Sequence, residues 1–378
     1  MTAMNNDNEI LYSMALTRQL RLNSAQQQLL VRQMGSATAV FENRYELAHA
    51  LTEHSAGAAS ALEQMELALP RCERELTYAR SHRINVLCWT DEAFPARLRN
   101  CEDAPILLYY IGAANLNAPH VVSMVGTRHC TERGRDLCQR FVAELKRLCP
   151  DVLVMSGLAY GIDIASHRAC LDNKVPTVGV LAHGLDEIYP RVHRSTAIEM
   201  LQQGGLLTEY MSETRSEKMN FVQRNRIVAG MADATVVVES AARGGSLITA
   251  EMANGYHREV FTFPGRLTDE ASAGCNALIR RNQATLITSA ADMMADMQWE
   301  PAPLPSSEAA RQATLFPNLS PDEQRVADVL AAQDADPSLT ELATLLGMPQ
   351  FRLTPIMLAL EMKGVVKLKA GQRYHLVR

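Results

Sequence analysis

Three arginines and a glycine turn occur close together in the second half of the chain. Arg224 and Arg226 flank Asn225, and Arg243 directly precedes the turn Gly244-Gly245-Ser246. A short apolar run between the two groups predicts a β-strand that ends at the turn and leads into a helix. Turns of this kind expose backbone N–H groups that bind anions. Three fixed cations at the same place predict a ligand that carries several phosphates.

Glycines follow three other predicted strands in the same way. The segments are Gly126-Thr127-Arg128, Ser156–Asp163, which contains Gly157 and Gly161, and His183-Gly184. The carboxyl ends of parallel strands share one edge of a sheet, and ligands bind at that edge. One glycine turn alone is typical of any strand-to-helix connection. Four at one edge, two of them with an arginine, favour a binding site.

The arginine pair falls on one predicted helix. Residues two positions apart on a helix project about 200° from each other, so Arg224 and Arg226 cannot both face one ligand. We expect one of them to contact phosphate and the other to brace the site by pairing with a carboxylate. Asp163 and Glu239 are the candidate partners. Two solvent-exposed surface arginines are the alternative.

An aromatic residue and a lysine precede the arginine pair at helical spacing. Phe221 lies three residues before Arg224, and Lys218 lies three residues before Phe221. The three side chains share a face if the helix begins at Lys218. An aromatic ring among cations is typical of proteins that stack bases while tracking a nucleic-acid backbone. A phenylalanine buried in the core fits the same spacing equally well.

Most motifs of catalysis are missing from the sequence. It contains no P-loop, no dinucleotide fingerprint followed by an acidic residue, no nucleophile elbow and no zinc-ligand spacing. His167 lies four residues after Asp163, which suits an acid/base couple, but a hydrogen bond that braces a helix explains the spacing as well. We therefore predict a binding protein with no catalytic residue, no metal and no cofactor.

Short apolar runs recur through the middle of the chain and predict β-strands. Two of them, 84–89 and 105–112, are expected to extend one edge of the sheet. Helical patterns separate most of the others, and continuously apolar strands indicate a parallel sheet covered on both faces. We predict an α/β fold with an extended Rossmann-like core over 81–299. The later runs are 121–126, 151–157, 177–184, 206–210, 234–239, 259–265 and 285–290.

The two ends of the chain differ from this middle part. Residues 1–80 predict a small all-helical domain, of the sterile-alpha-motif or helix-hairpin-helix kind. Residues 300–320 are rich in Pro, Ser and Ala and predict a linker. Residues 321–378 predict three helices and a hairpin, the order of a winged helix. Its third helix offers only Arg352 as a cation, so DNA contact and protein docking are both open to this domain.

Length, composition and charge limit the number of domains, the class of protein and its compartment. With 378 residues the chain is long enough for two or three domains, and its apolar content of 47% is typical of globular proteins. The first residues, MTAMNNDNEILYS, lack the basic and apolar regions of an export signal, and the eight cysteines are scattered without metal-ligand spacing. We therefore expect a reduced, cytoplasmic protein without membrane contact. The net charge of −5 requires any nucleic-acid site to be a local basic patch.

Several of these segments together resemble the DprA/Smf family of DNA processing proteins. The resemblance implies an extended Rossmann fold that binds single-stranded DNA during natural transformation, loads the RecA recombinase onto that DNA and catalyses no reaction. The matching motifs are MVGTR (124–128), SGLAYGID with SH after two further residues (156–167), GVLAHGLDEIYP (179–190), LLTEY (206–210), Phe followed after two residues by RNRIVAG (221–230), GGSLITA (244–250), and FPG followed after seven residues by AGCNALI (263–279).

The resemblance also implies a DNA pocket and two departures from the family pattern. The family's usual G-S-R is Gly126-Thr127-Arg128 here, which keeps a hydroxyl group. Its usual serine before the last Gly-Ser pair is Gly244, which removes one possible phosphate donor. We expect the protein to act as a homodimer. The pocket residues implied are Gly126, Thr127, Arg128, Lys218, Phe221, Arg224, Asn225, Arg226, Gly244, Gly245 and Ser246.

An enzyme of a different class is the main alternative. A glycine turn at a helix start also suits nucleotide hydrolysis of the phosphoribohydrolase-like type, with Glu239 or Glu251 as the acid. That function requires carboxylates that converge on a small closed pocket. Single-stranded DNA binding requires an open basic groove instead, and a purely structural adaptor requires neither.

Overall fold

The computed structural model of the protein describes residues 2–52, 55–302, 319–331, 333, 336–363, 365–369 and 373–376. These residues form two compact units, 1–302 and 303–378, each with hydrophobic clusters of its own. The division into a helical domain, a Rossmann-like domain, a linker and a winged-helix-like domain stays a prediction. Most of the predicted linker lies outside the described residues.

A nine-stranded sheet is the centre of the first unit. Its strands follow the spatial order β1-β2-β6-β5-β4-β3-β7-β8-β9. Neighbours from β6 to β9 in this order are parallel, whereas β1 and β2 extend one edge in antiparallel fashion. The predicted α/β fold is therefore confirmed. The strands are β1 (Asn85–Cys88), β2 (Leu107–Gly112), β3 (His120–Val125), β4 (Val152–Ser156), β5 (Thr177–Val180), β6 (Gly205–Thr208), β7 (Ala234–Val237), β8 (Glu259–Thr262) and β9 (Thr285–Leu286).

Helices cover both faces of this sheet. Neighbouring residues of one strand point to opposite faces, so Val121 of β3 packs with the helices on one face and Val122 packs with the helices on the other. This two-sided burial explains the continuously apolar strand sequences. The helices are α7 (Ala96–Arg99), α8 (Glu132–Leu148), α9 (Ile162–Asp172), α10 (Arg194–Gln203), α11 (Lys218–Gly230), α12 (Gly245–Gly255), α13 (Ala273–Arg280) and α14 (Ala290–Asp296).

Further helices precede the sheet and share a hydrophobic cluster with its antiparallel edge. Met14 and Leu62 of the helices belong to the same buried cluster as Leu107 and Tyr109 of β2. The helices are α1 (Thr2–Thr17), α2 (Ser24–Met34), α3 (Ala37–Glu42), α4 (Arg44–Leu51), α5 (Ala56–Glu63) and α6 (Leu69–Ser81). Side-chain caps begin α2, α3 and α5; at α2, for example, the Asn23 side chain accepts a hydrogen bond from the Gln26 N–H.

The second unit contains the helices and hairpin that its sequence predicts. Ser338 and Glu341 form a capping box at one helix start, and Gly347, with φ +59°, ends that helix in the left-handed conformation. The hairpin strands pair antiparallel. No described helix in either unit is long and apolar enough to cross a bilayer. The elements are α15 (Pro321–Ala331), α16 (Leu339–Leu346), α17 (Gln350–Met362), β10 (Val366–Lys369) and β11 (Arg373–Leu376).

Candidate nucleic-acid interface

The strand order reverses between β3 and β7. The chain proceeds from β3 through β4 and β5 to β6 in one direction and then returns to place β7 on the other side of β3. A crevice opens outside the carboxyl ends of parallel strands at such a reversal, and ligands of open α/β sheets bind there. The loops after β3, β4 and β7 meet at this crevice, and they carry three of the four glycine turns identified in the sequence.

Two glycines allow these loops to pack on one another. A Cβ at Gly161, where φ is +79°, would come within 2.1 Å of the Thr127 carbonyl oxygen. A Cβ at Gly126 would come within 2.4 Å of the Ile162 side chain. The close approach lets the Thr127 N–H donate to the Glu239 carbonyl at 2.7 Å. The glycines therefore fix the floor of the crevice.

An open cavity of about 610 Å³ occupies the crevice. Twelve of the fourteen residues that the sequence predicts to bind nucleic acid line this cavity. Gly161 lines a neighbouring cavity instead, and Arg226 lines neither of the two. The twelve residues are Gly126, Thr127, Arg128, Gly157, Lys218, Phe221, Arg224, Asn225, Arg243, Gly244, Gly245 and Ser246.

Arg224 lies at the bottom of this cavity and is 4% exposed. Its guanidinium group donates to the Gly157 carbonyl at 2.6 Å and to the Val180 carbonyl. A Cβ at Gly157 would come within 2.4 Å of that guanidinium group, so a larger residue there would displace it from this position. Burial raises the pKa of the nearby Asp163 carboxyl, and the charge of Arg224 opposes that rise. Arg224 thus ties the ends of β4 and β5 to α11.

Arg226 points away from the cavity and is 7% exposed. Its Nη2 contacts the Glu209 Oε2 at 2.5 Å and the Ser24 Oγ at 3.3 Å. The expected partners, Asp163 and Glu239, are therefore wrong for Arg226. In this structure both guanidinium groups of the pair contact protein acceptors. Arg224, which also lines the cavity, stays a predicted ligand contact.

Three cations at the cavity rim are exposed: Arg128, Lys218 and Arg243. None of them forms a salt bridge with a carboxylate among the described residues. The Arg128 guanidinium lies over the Phe221 ring, 5.5 Å from its centroid, and Tyr189 contacts Phe221 with ring centroids 5.8 Å apart. Phe221 is half-buried at the rim, so it is not a core phenylalanine. Cations and two aromatic rings therefore face the same opening.

The start of α12 forms another part of the cavity wall. Gly244 precedes the helix in an extended conformation, with φ −152°, and no side chain caps the first turn. The Ser246 hydroxyl donates to the Ser240 hydroxyl at 2.9 Å and is buried. Backbone N–H groups of an uncapped first turn need acceptors from outside the helix. An anion in the cavity meets that need.

Comparison with known proteins identifies this architecture. Residues 85–298, more than half of the chain, match the model of a family described as DNA recombination-mediator protein A. The chain belongs to this family. The resemblance to DprA/Smf proteins is thus confirmed. A putative DNA processing protein DprA from Mycobacterium tuberculosis is 36% identical over 285 residues, which are 75% of this chain and 72% of that protein.

Solved structures of DprA proteins share the fold. DNA processing protein A from Streptococcus pneumoniae superposes with a TM-score of 0.64 at 29% identity, over 76% of this chain and 97% of that one. DNA processing protein A from Helicobacter pylori superposes with a TM-score of 0.51 at 27% identity, over 57% of this chain and 96% of that one. The structure of the Helicobacter pylori protein is described in terms of its single-stranded DNA binding mode.

The carboxylates that could catalyse a reaction in this DprA family member do not converge. Glu239 is buried and accepts hydrogen bonds from the Thr131 N–H at 2.9 Å and the Thr131 hydroxyl at 2.5 Å. Glu251 lines a separate cavity beside α13. Asp163 reaches the main cavity, but its carboxylate accepts from the Gly157 and Ala159 N–H groups. Glu239 and Asp163 therefore hold loops of the fold, and Glu251 lies apart from both of them.

His167 does not form the expected pair with Asp163. Its ring is fully buried, and Nδ1 lies 2.7 Å from the Thr177 hydroxyl on β5. Burial lowers the pKa of His167 to about 3. Both readings of the four-residue spacing, an acid/base couple and a helix-bracing hydrogen bond, are therefore wrong. The imidazole instead braces α9 against the sheet as a neutral ring.

Sequence reasoning missed two features of this DprA family member. Tyr189 lies in the loop after β5, within a quoted motif, but only the fold places its ring beside Phe221. His120, Cys149 and Asp151 have ligand atoms close enough to hold a metal ion, at the sheet edge opposite the cavity. His120 and Cys149 already form hydrogen bonds of 3.2 and 3.3 Å with the Asp151 carboxylate. We therefore assign no metal site to this group.

Proposed function

We propose that this DprA family member binds single-stranded DNA in the crevice between the ends of β3 and β7. One observation carries the proposal: exposed cations, aromatic rings and an uncapped helix start all face one open cavity. Phosphates are held by Arg128, Lys218 and Arg243, and bases stack on the rings of Phe221 and Tyr189. The binding mode described for the Helicobacter pylori relative supports the choice of ligand.

The binding is expected to ignore base sequence. Guanidinium, ammonium and backbone N–H groups contact phosphates, which carry no sequence information. Stacking on an aromatic face accepts every base. Salt therefore weakens the complex, by a slope of roughly 0.7 in log affinity against log salt for each phosphate contact.

We further propose that the protein binds without catalysing a reaction. The dispersed carboxylates and the open cavity support this over the phosphoribohydrolase-like alternative, which needs a closed pocket with a free acid. Homodimerisation and loading of the RecA recombinase are proposals that rest on family membership. A cytoplasmic location is proposed because all eight cysteines are unpaired thiols.

Fluorescence anisotropy with a short labelled oligonucleotide tests the proposal. Arg128→Ala and Lys218→Ala are each expected to weaken binding roughly tenfold and to flatten the salt dependence. Arg140→Ala is the matched control, because Arg140 is an exposed arginine on α8 that lines neither cavity. Unchanged affinity in both rim variants would contradict the placement. Release of free base from nucleoside monophosphates by the purified protein would instead favour the hydrolase.

A further inference from the structure

A second open cavity of about 650 Å³ lies between α8 and α9. Arg128 and His129 line both cavities, so the loop after β3 forms the wall that the two share. Of the predicted site residues only Arg128 and Gly161 line this cavity, and Tyr160 is a further member of the motif at 156–163. Like the first cavity, it is lined by arginines and by an aromatic side chain.

Arginine dominates the lining of the second cavity. Arg135 and Arg168 join Arg128 there, all three are exposed, and none forms a salt bridge with a described carboxylate. Asp136 is the only acidic side chain in the lining. In a chain with a net charge of −5, three unneutralised arginines around one acid form a local basic patch.

An aromatic side chain stands at the opening of the second cavity as well. Tyr160 is 48% exposed. The edge of its ring contacts the buried His193, with centroids 5.1 Å apart and planes at 68°. His193 is itself held by a 2.8 Å hydrogen bond to the Leu158 carbonyl. The Tyr160 ring is thus positioned by the core while much of its surface stays open to solvent.

We propose that the second cavity is a further subsite for the same DNA strand, which crosses the loop after β3 from one cavity to the other. This inference rests on the proposed function. Arg128 connects the two cavities, since it contacts the Phe221 ring and lines both of them. Arg135 and Arg168 hold phosphates beyond the loop, and Tyr160 stacks a base there.

The proposal predicts an effect that depends on oligonucleotide length. Single-strand-binding folds occupy roughly 4–16 nucleotides, so the probes are oligothymidylates of about 6 and about 20 nucleotides. In the double variant Arg135→Ala/Arg168→Ala, binding of the longer probe is expected to weaken about tenfold, with a salt slope lower by roughly 0.7 for each lost phosphate contact. Binding of the shorter probe is expected to equal that of the wild type.

Two further variants sharpen this test. Asp136→Asn removes the one acidic group of the lining and is expected to strengthen binding of the longer probe only. Arg140→Ala removes an arginine of the same helix outside the cavity and is expected to change neither probe.

Equal weakening of both probes in the double variant would overturn the inference, because the two arginines would then act on the first cavity. No change with either probe would also overturn it and would leave the proposed function intact. A wild-type protein that binds neither probe would overturn the proposed function and this subsite together.

Discussion

The cations at and directly behind the crevice form two layers that differ in burial and in partners. In the inner layer, Arg224 and Arg226 are 4% and 7% exposed and contact carbonyl and carboxylate oxygens of the protein. In the rim layer, Arg128, Lys218 and Arg243 are exposed and form no salt bridge with described residues. The same residue type, on elements that meet at one site, therefore does two different tasks.

The cost of burying charge explains the difference. A guanidinium group that leaves water must recover its hydrogen bonds from the protein. Arg224 does so from the Gly157 and Val180 carbonyls, and in this way it joins the ends of β4 and β5. A rim cation keeps its water until a phosphate replaces it. We therefore expect the inner layer to contribute mainly to stability, with Arg224 also a predicted ligand contact, and the rim layer to contribute mainly to affinity.

The largest expected effect is on stability in the inner layer. Arg226→Ala leaves the Glu209 carboxylate with little solvent and without its cation, and removal of one partner of a buried pair costs about 3–5 kcal/mol. Arg128→Ala at the rim is expected to change the free energy of unfolding by less than about 0.5 kcal/mol. Urea denaturation followed by circular dichroism measures both.

The partner residue provides the control for this stability prediction. Replacement of both groups, Arg226→Met with Glu209→Leu, removes the unpaired charge and is expected to recover part of the lost stability. If Arg226→Ala and Arg128→Ala unfold at the same urea concentration, the distinction between the two layers fails.

The sequence predicts the strands of this fold better than their arrangement. Strands buried on both faces are continuously apolar and stand out in the sequence. The reversal of strand order beside β3 depends on pairings between distant segments, which no local pattern records. The predicted edge strands at 84–89 and 105–112 are β1 and β2. Their sequence does not show that they pack against α1–α6, which only the structure reveals.

The same limit applies to the site. Helical spacing correctly separates Arg224 from Arg226, because directions along one helix are local. The partner of Arg226 is Glu209, which follows β6, and its distance from α11 depends on the whole sheet. Asp163 and Glu239 are closer to the glycine turns in the sequence but serve other loops. Local chemistry predicts which residues bind phosphate-like groups, while topology decides which of them stay exposed.

A smaller expected effect concerns the pH dependence of stability, which comes from the buried interior and not from the exposed rim. His167 is fully buried between α9 and β5, and burial lowers its pKa from 6.5 to about 3. Below pH 6.5 the unfolded chain binds a proton at this histidine and the folded protein does not. Stability is therefore fully present above pH 6.5 and is lost as pH falls toward 3, by about 1.4 kcal/mol per pH unit.

Urea denaturation between pH 7 and pH 4 measures this slope. His167→Gln cannot take up the proton and is expected to show a shallower loss of stability with acid, whatever its stability at pH 7. An identical slope in both proteins would assign the acid sensitivity to other groups, such as His193, whose pKa burial also lowers.

The smallest expected effect is a gain at the rim. Gly244 has an extended backbone that any residue can adopt, and a Cβ there would come within 2.9 Å of the Ser240 hydroxyl, which must shift slightly to make room. Gly244→Ser restores the hydroxyl that the family resemblance leads one to expect. One added hydrogen bond to phosphate contributes about 0.5–1.5 kcal/mol, so the short oligonucleotide is expected to bind a few times more tightly in the anisotropy assay. Gly244→Ala adds the same Cβ without the hydroxyl. Equal tightening by alanine would show that loss of glycine's flexibility, and not a phosphate contact, strengthens the rim.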